Sequence, residues 1–243
     1  MPTVQKYLET WEGTLADWDI FTSGPVTVDI VTSSVIVGAQ SLRLLAPHSP
    51  GVSANILPKT TSSLHYVATK GKLRTLLYGV VEGGGVLISG LSCQQSVRDI
   101  NPDGTSFYFA GYSHTGDRLG IGKATNGLQQ TLGLMPFQVF TPFTLSAGST
   151  ISIEFEWEVS GTSVILTLRK GTTTDYSNLA QILTYTDSSS ALLTTVGQGL
   201  CYATPDFSSN PEFRVDQTTG FEDISRASGQ LLSSTRNRLV SVF

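Results

Sequence analysis

Residues 151–169 read ISIEFEWEVSGTSVILTLR, and this stretch decides the fold class. Ile151, Ile153, Phe155, Trp157 and Val159 alternate with Ser152, Glu154, Glu156 and Glu158. That is the period-2 pattern of a strand with one buried face. A two-residue loop at Gly161-Thr162, with glycine in the first central position, closes a hairpin. Val159 then faces Val164, Trp157 faces Leu166, Phe155 faces Leu168, and on the other face Glu154 meets Arg169. Hydrophobic pattern, turn chemistry and charge select one register. The chain is therefore expected to be an antiparallel sheet protein.

Composition supports this. The chain has 243 residues, long enough for a sizeable core, and sandwiches and barrels often use this length as one domain. Charged residues make up 14%, against about 25% in ordinary domains. Ser and Thr fill the gap, and 24 Gly with 10 Pro fit many short strands joined by turns. A net charge of −4 gives no reason to expect nucleic acid as a partner. No signal peptide is recognisable after Met1-Pro2-Thr3, and no apolar run is long enough for a transmembrane helix, so no membrane partner is expected. Cys93 and Cys201 do not make a disulfide framework and are expected reduced and at least partly buried.

Further strands are expected over residues 4–9, 17–21, 26–31, 41–45, 52–57, 64–69, 73–81 and 86–91. Residues 107–112, 119–123 and 128–134 follow, the last after an Asn126-Gly127 turn, then the 151–169 hairpin. Residues 179–186, 199–203, 213–215 and 221–225 complete the set. No segment is convincingly a helix; residues 188–195 allow one turn. The economical reading is one domain, 1–226, followed by a polar tail. That tail, 227–243, carries Arg236 and Arg238 and ends on an apolar patch, so it is expected to be a docking tail or an extra strand.

The order Tyr7-Leu8-Glu9-Thr10-Trp11-Glu12-Gly13-Thr14-Leu15, Asp17-Trp18 and Gly38-Ala39-Gln40-Ser41-Leu42-Arg43-Leu44 resembles the first strands of laminin G-like and concanavalin A-like jelly-roll modules. The later order fits the same pattern through the hairpin, Gly197-Gln198-Gly199-Leu200, Phe213-Arg214-Val215-Asp216 and Phe221-Glu222-Asp223-Ile224, covering roughly 7–225. The resemblance implies an all-β, antiparallel two-sheet β-sandwich. Such a fold hosts lectins, hydrolases and structural proteins alike.

Concanavalin A-like glycosidases place Glu-x-Asp-x-Glu on one strand, the first glutamate as nucleophile and the last as general acid. Glu154 and Glu158 would match, although Glu156 stands where the pattern has aspartate. Retaining chemistry needs carboxyls about 5–5.5 Å apart, whereas i and i+4 on a flat strand lie about 13 Å apart. Arg169 also competes for Glu154, so the favoured reading is a solvated face with one cross-strand ion pair. The resemblance also allows a structural calcium between Glu12 and Asp223, although no dense Asp/Asn loop supports one. Trp11, Trp18 and Trp157 are expected to be buried, and so are Tyr108 and Tyr112, rather than to form a sugar platform. His48, His65 and His114 make no metal spacing, and Gly83-Gly84-Gly85 is not a phosphate loop.

These readings converge on a non-enzymatic structural subunit with no assignable catalytic, metal or cofactor residues. The chain resembles the small jelly-roll proteins of tailed-phage virions, made in the host cytoplasm and incorporated as decoration, neck or fibre-associated subunits. Its expected partners are other virion proteins, copies of itself and host-surface glycan. The alternatives are a stand-alone carbohydrate-binding module and a retaining glycoside hydrolase using Glu154 and Glu158.

Overall fold

Glu154 faces Arg169, Phe155 faces Leu168, Trp157 faces Leu166 and Val159 faces Val164 in the computed structural model. The structure describes residues 3–45, 52–59, 61–64, 66, 68–81, 88–94, 107–113, 117–124, 137–188, 197–204 and 212–223. The hairpin consists of β11 (Thr150–Ser160) and β12 (Ser163–Gly171). Gly161 at its tip has φ +62°, which glycine adopts at no steric cost.

Before the hairpin come β1 (Thr3–Glu9), β2 (Trp18–Ser23), β3 (Thr27–Val31), β4 (Ser41–Leu45) and β5 (Val52–Pro58). They are followed by β6 (Lys70–Val81), β7 (Ile88–Gln94), β8 (Phe107–Ser113), β9 (Arg118–Ala124) and β10 (Phe137–Pro142). After it come β13 (Ala180–Asp187), β14 (Gly197–Thr204) and β15 (Glu212–Asp223). No helix occurs among the described residues. An 8-stranded sheet runs β13-β12-β11-β6-β15-β4-β3, with β1 also paired to β15. A 7-stranded sheet runs β10-β9-β8-β7-β14-β5-β2. Every pairing is antiparallel, as for the hairpin.

Alternation explains the core. Leu73 and Leu77 of β6, Phe155 and Trp157 of β11, and Phe213 and Val215 of β15 point inward from the larger sheet. Ala54, Ile56, Tyr108, Tyr112, Leu119 and Ile121 meet them from the smaller one. Trp11 and Trp18 are buried as expected, with rings 4.8 Å apart. Glu9 satisfies both ends of that pair, accepting from Trp11 N at 2.7 Å and Trp18 Nε1 at 3.1 Å.

Three expectations need correction. Within the expected strand 64–69, the described residues 64, 66, 68 and 69 are not in a strand, yet Tyr66 and Ala68 fill the core. The Ala68 carbonyl there accepts the Trp157 indole N–H at 3.0 Å, so alternating burial did not require a ladder. Residues 213–215 and 221–225 do not form separate strands but belong largely to one, β15, which is bulged. Asp216 faces Leu76 and Thr219 faces Arg74, so Gln217 and Thr218 together oppose Thr75. Gln217 takes φ +46°, and Thr75 Oγ1 donates to the Asp216 carbonyl at 3.1 Å. Finally, β10 is a strand beyond those expected, following Pro136 in sequence and ending on Pro142 at the sheet edge, where proline is tolerated.

Some expectations fall outside the described residues: the strand at 128–134 with its Asn126-Gly127 turn, most of the turn at 188–195, Gly83–Gly85, His48, His65, His114 and the tail 227–243. Cys93 and Cys201 lie on paired strands, Cys93 facing Gln198 and Cys201 facing Gly90. Their side chains are outside the described part.

Candidate functional site

The outward face of β11 carries Glu154, Glu156 and Glu158, flanked by β12 on one side and β6 on the other. Arg169 faces Glu154 from β12 and Arg74 faces it from β6. Glu154 Oε1 accepts from Arg169 at 2.6 Å, and Oε2 accepts from Arg74 Nε at 2.6 Å with Lys72 Nζ 3.4 Å away. Glu156 takes Arg169 at 2.5 Å and Glu158 takes Lys70 at 2.8 Å. The expected solvated face with one ion pair is therefore corrected: Glu154 is only 2% exposed and sits among three cations. Burial raises its pKa, but Arg74, Lys72 and Arg169 outweigh burial and hold the carboxyl below its ordinary value. A nucleophile needs a free oxygen facing substrate; both Glu154 oxygens are occupied.

The loop from β12 to β13 folds over part of this face. Tyr176 donates its hydroxyl to the Gln217 carbonyl at 2.7 Å, and its ring lies 5.5 Å from the Arg74 guanidinium. Phe221 lies beneath Arg74 and Lys72, at 5.0 and 5.3 Å. A cleft of about 220 Å³ remains between Thr3, Lys70, Gly71, Lys72, Glu156 and Asp223. Its two lysines are already ion-paired, Lys70 to Glu158 and Asp223, Lys72 to Glu154.

The structure does not bring the suggested calcium ligands together. Thr3 faces Asp223 and Glu9 faces Thr218, so Asp223 and the region of Glu12 lie at opposite ends of β1. Six residues of strand separate them, roughly 20 Å. Glu12 instead accepts from Ala39 N at 2.8 Å and Gln40 N at 3.2 Å. No cluster of three metal-ligating side chains occurs among the described residues.

Asp216, at the β15 bulge, is buried and accepts from Val37 N at 3.0 Å, Ser41 Oγ at 3.0 Å and Gln217 N at 2.8 Å. Burial pushes its pKa up to about 6 despite these donors, and Glu12 adds to the rise. Between about pH 4 and about pH 6 the native state therefore keeps a proton that the unfolded chain has released. The contribution of Asp216 to stability is fully present below about pH 4 and is lost as pH rises to about 6, a change of about 3 kcal/mol. A carboxyl carbon titration by NMR should show a midpoint near pH 6. Asp216→Asn should lack this component of the pH–stability curve.

The outward face of the smaller sheet is different. Gly90 faces Gly111, Gly111 faces Gly120, and Gly120 faces Phe140 on the edge strand β10. The Phe137 ring fills the space above Gly120, where a Cβ would lie 2.5 Å from it. Inward from this edge Phe109, Gly111 and Ser113 are buried, as is Asn55 on β5. At the β10 edge Phe140 is 53% exposed. The Arg118 guanidinium stands 4.9 Å from the Phe140 ring centre. Arg118 Nε is buried and has no hydrogen-bond acceptor. A desolvated donor left unmet costs about 1–3 kcal/mol.

Sequence reasoning missed Phe140 and Arg118, because their meeting depends on the β9–β10 register. The alternating Gly120-Ile121-Gly122 was the available signal, since glycine at alternate strand positions leaves room for something on one face. Tyr108 and Tyr112 are core residues, as expected. Tyr108 donates to Asp187 at 2.8 Å and Tyr112 to Asp117 at 2.8 Å.

No protein family matches the sequence, and no curated protein does. Solved structures do. An endo-β-1,4-glucuronan lyase from the fungus Trichoderma reesei is similar with TM-score 0.59 at 10% identity, over 90% of this chain and 96% of that one. A mutant of the Emp46p carbohydrate recognition domain gives 0.58 at 8% identity, over 92% and 100%. The lectin UEA-II, complexed with galactose, gives 0.53 at 9% identity, over 91% and 99%. At these identities the likeness is one of fold alone, and the fold is an all-β, concanavalin A-like jelly-roll sandwich of the lectin type.

Proposed function

We propose that the chain is a non-catalytic carbohydrate-binding module that meets its ligand at the β10 edge of the 7-stranded sheet. The observation that carries this is Phe140, an aromatic ring half in solvent at the β10 edge. A sugar ring presents an apolar C–H face and a rim of hydroxyls, so it needs an exposed ring beside polar donors. Two of the similar structures are a carbohydrate recognition domain and a lectin in complex with galactose, and the third is a glucuronan lyase. Against the hydrolase reading stand the occupied oxygens of Glu154 and the pairing of Glu158 with Lys70. The particle-subunit reading rests on composition, on the lack of a recognisable export signal or catalytic set, and on the tail 227–243, which is outside the described residues.

A broad glycan array, followed by calorimetry on the hits, tests the proposal. Binding is expected to at least one glycan class, with Phe140→Ala weakening it about tenfold. Silence across neutral, amino and acidic glycans would overturn it, as would release of sugar products by the unaltered protein.

A further inference from the structure

We infer that the ligand at this edge is an acidic sugar whose carboxylate pairs with Arg118; the inference rests on the glycan-binding reading. The other described arginines are neutralised from within. Arg43, Arg74, Arg169 and Arg214 each hold a carboxylate of the chain. Among the described arginines Arg118 holds none, although the chain has 19 acidic residues to 15 basic. Its neighbour Asp117 could have supplied one. The Asp117 backbone is left-handed, φ +42°, and its carboxylate accepts the Tyr112 hydroxyl at 2.8 Å. Arg118 is left beside Phe140 with a buried Nε–H that has no acceptor.

A guanidinium presents parallel N–H donors that match a planar carboxylate bidentately. The ring at 4.9 Å fixes where the ligand must sit. A uronate sugar meets both demands, its C–H face on Phe140 and its carboxylate on the fork. A neutral sugar meets only the first and offers the guanidinium at best a hydroxyl. Charge-assisted hydrogen bonds are roughly twice as strong as neutral ones, which sets the direction of the preference.

Calorimetry on the full chain with glucuronate and glucose tetramers of the same linkage isolates the carboxylate, because the two differ only at C6. The uronate is expected to bind about tenfold more tightly at low salt, with the ratio shrinking as salt is raised. Arg118→Gln is expected to bring the ratio near one, while Arg118→Lys, a point charge without a fork, keeps part of it. Lys59, which donates to the Ala16 carbonyl, provides the control: Lys59→Gln changes net charge equally and should leave the ratio intact. Circular dichroism and thermal midpoints establish that each variant is folded. Equal binding of the two tetramers, an unchanged ratio in folded Arg118→Gln, or an equal loss in Lys59→Gln would overturn the inference and leave glycan binding standing. Failure of both tetramers and of the wider array would overturn glycan binding itself.

Discussion

Trp157→Ala is expected to destabilise the protein by about 3–5 kcal/mol, the range for deleting a buried aromatic side chain. The indole is 0% exposed and packs between Leu166 on β12 and Gly71 on β6, the residues facing it on either side. The cavity cannot close easily, because β11 is an interior strand hydrogen-bonded on both edges. Loss of the indole N–H also strips the Ala68 carbonyl of a 3.0 Å hydrogen bond. The same packing makes Gly71 sensitive. A Cβ there would lie 2.6 Å from the Trp157 ring and 2.7 Å from the Phe221 carbonyl oxygen, a backbone atom that cannot swing aside. Urea denaturation measures both, with the Trp157→Ala midpoint falling at unchanged slope. A loss under about 1 kcal/mol would mean that the indole is not a core side chain.

Glu154→Gln should cost a comparable amount, about 3–5 kcal/mol, for an electrostatic reason. The carboxylate is the shared partner of Arg74, Arg169 and Lys72, and its removal leaves an excess of positive charge on a half-covered face. Glutamine keeps the shape but supplies one acceptor oxygen and turns an amide toward cations. The pH dependence has a definite sign. The folded carboxyl titrates below its ordinary value, so its contribution is present above about pH 4.5 and is lost as pH falls through the folded value. Wild type and variant should therefore differ most at neutral pH and converge in acid. This also separates the two roles considered for Glu154. Removing a strained catalytic group tends to leave stability unchanged or higher, whereas removing the centre of an ion-pair cluster lowers it.

What could be read in the sequence was what neighbours in sequence decide. Residues 151–169 pair as the alternation and the Gly161 turn dictate, and residues 41–45 emerge as β4 with the expected ends. Interactions between distant segments were not legible. Arg74 lies 80 positions from Glu154, and only the β6–β11 pairing makes it a partner. The β15 bulge interrupts the alternation around Gln217, so one strand looked like two. Phe140 and Arg118 escaped notice because β10 is short, bracketed by prolines, and meaningful only in register with β9.

Alternation, a two-residue turn and a cross-strand charge pair were enough to specify the hairpin, because closing so short a loop costs little entropy and every favourable contact falls within 19 residues. Sheet order, and with it the surroundings of each outward residue, was decided only by tertiary pairing. That pairing buried Glu154 among cations and shut the site its spacing suggested. It also left Arg118 beside an exposed ring with no acid of its own. Burial and charge in a sheet come from flanking strands, and the identity of those strands is set by the whole chain at once.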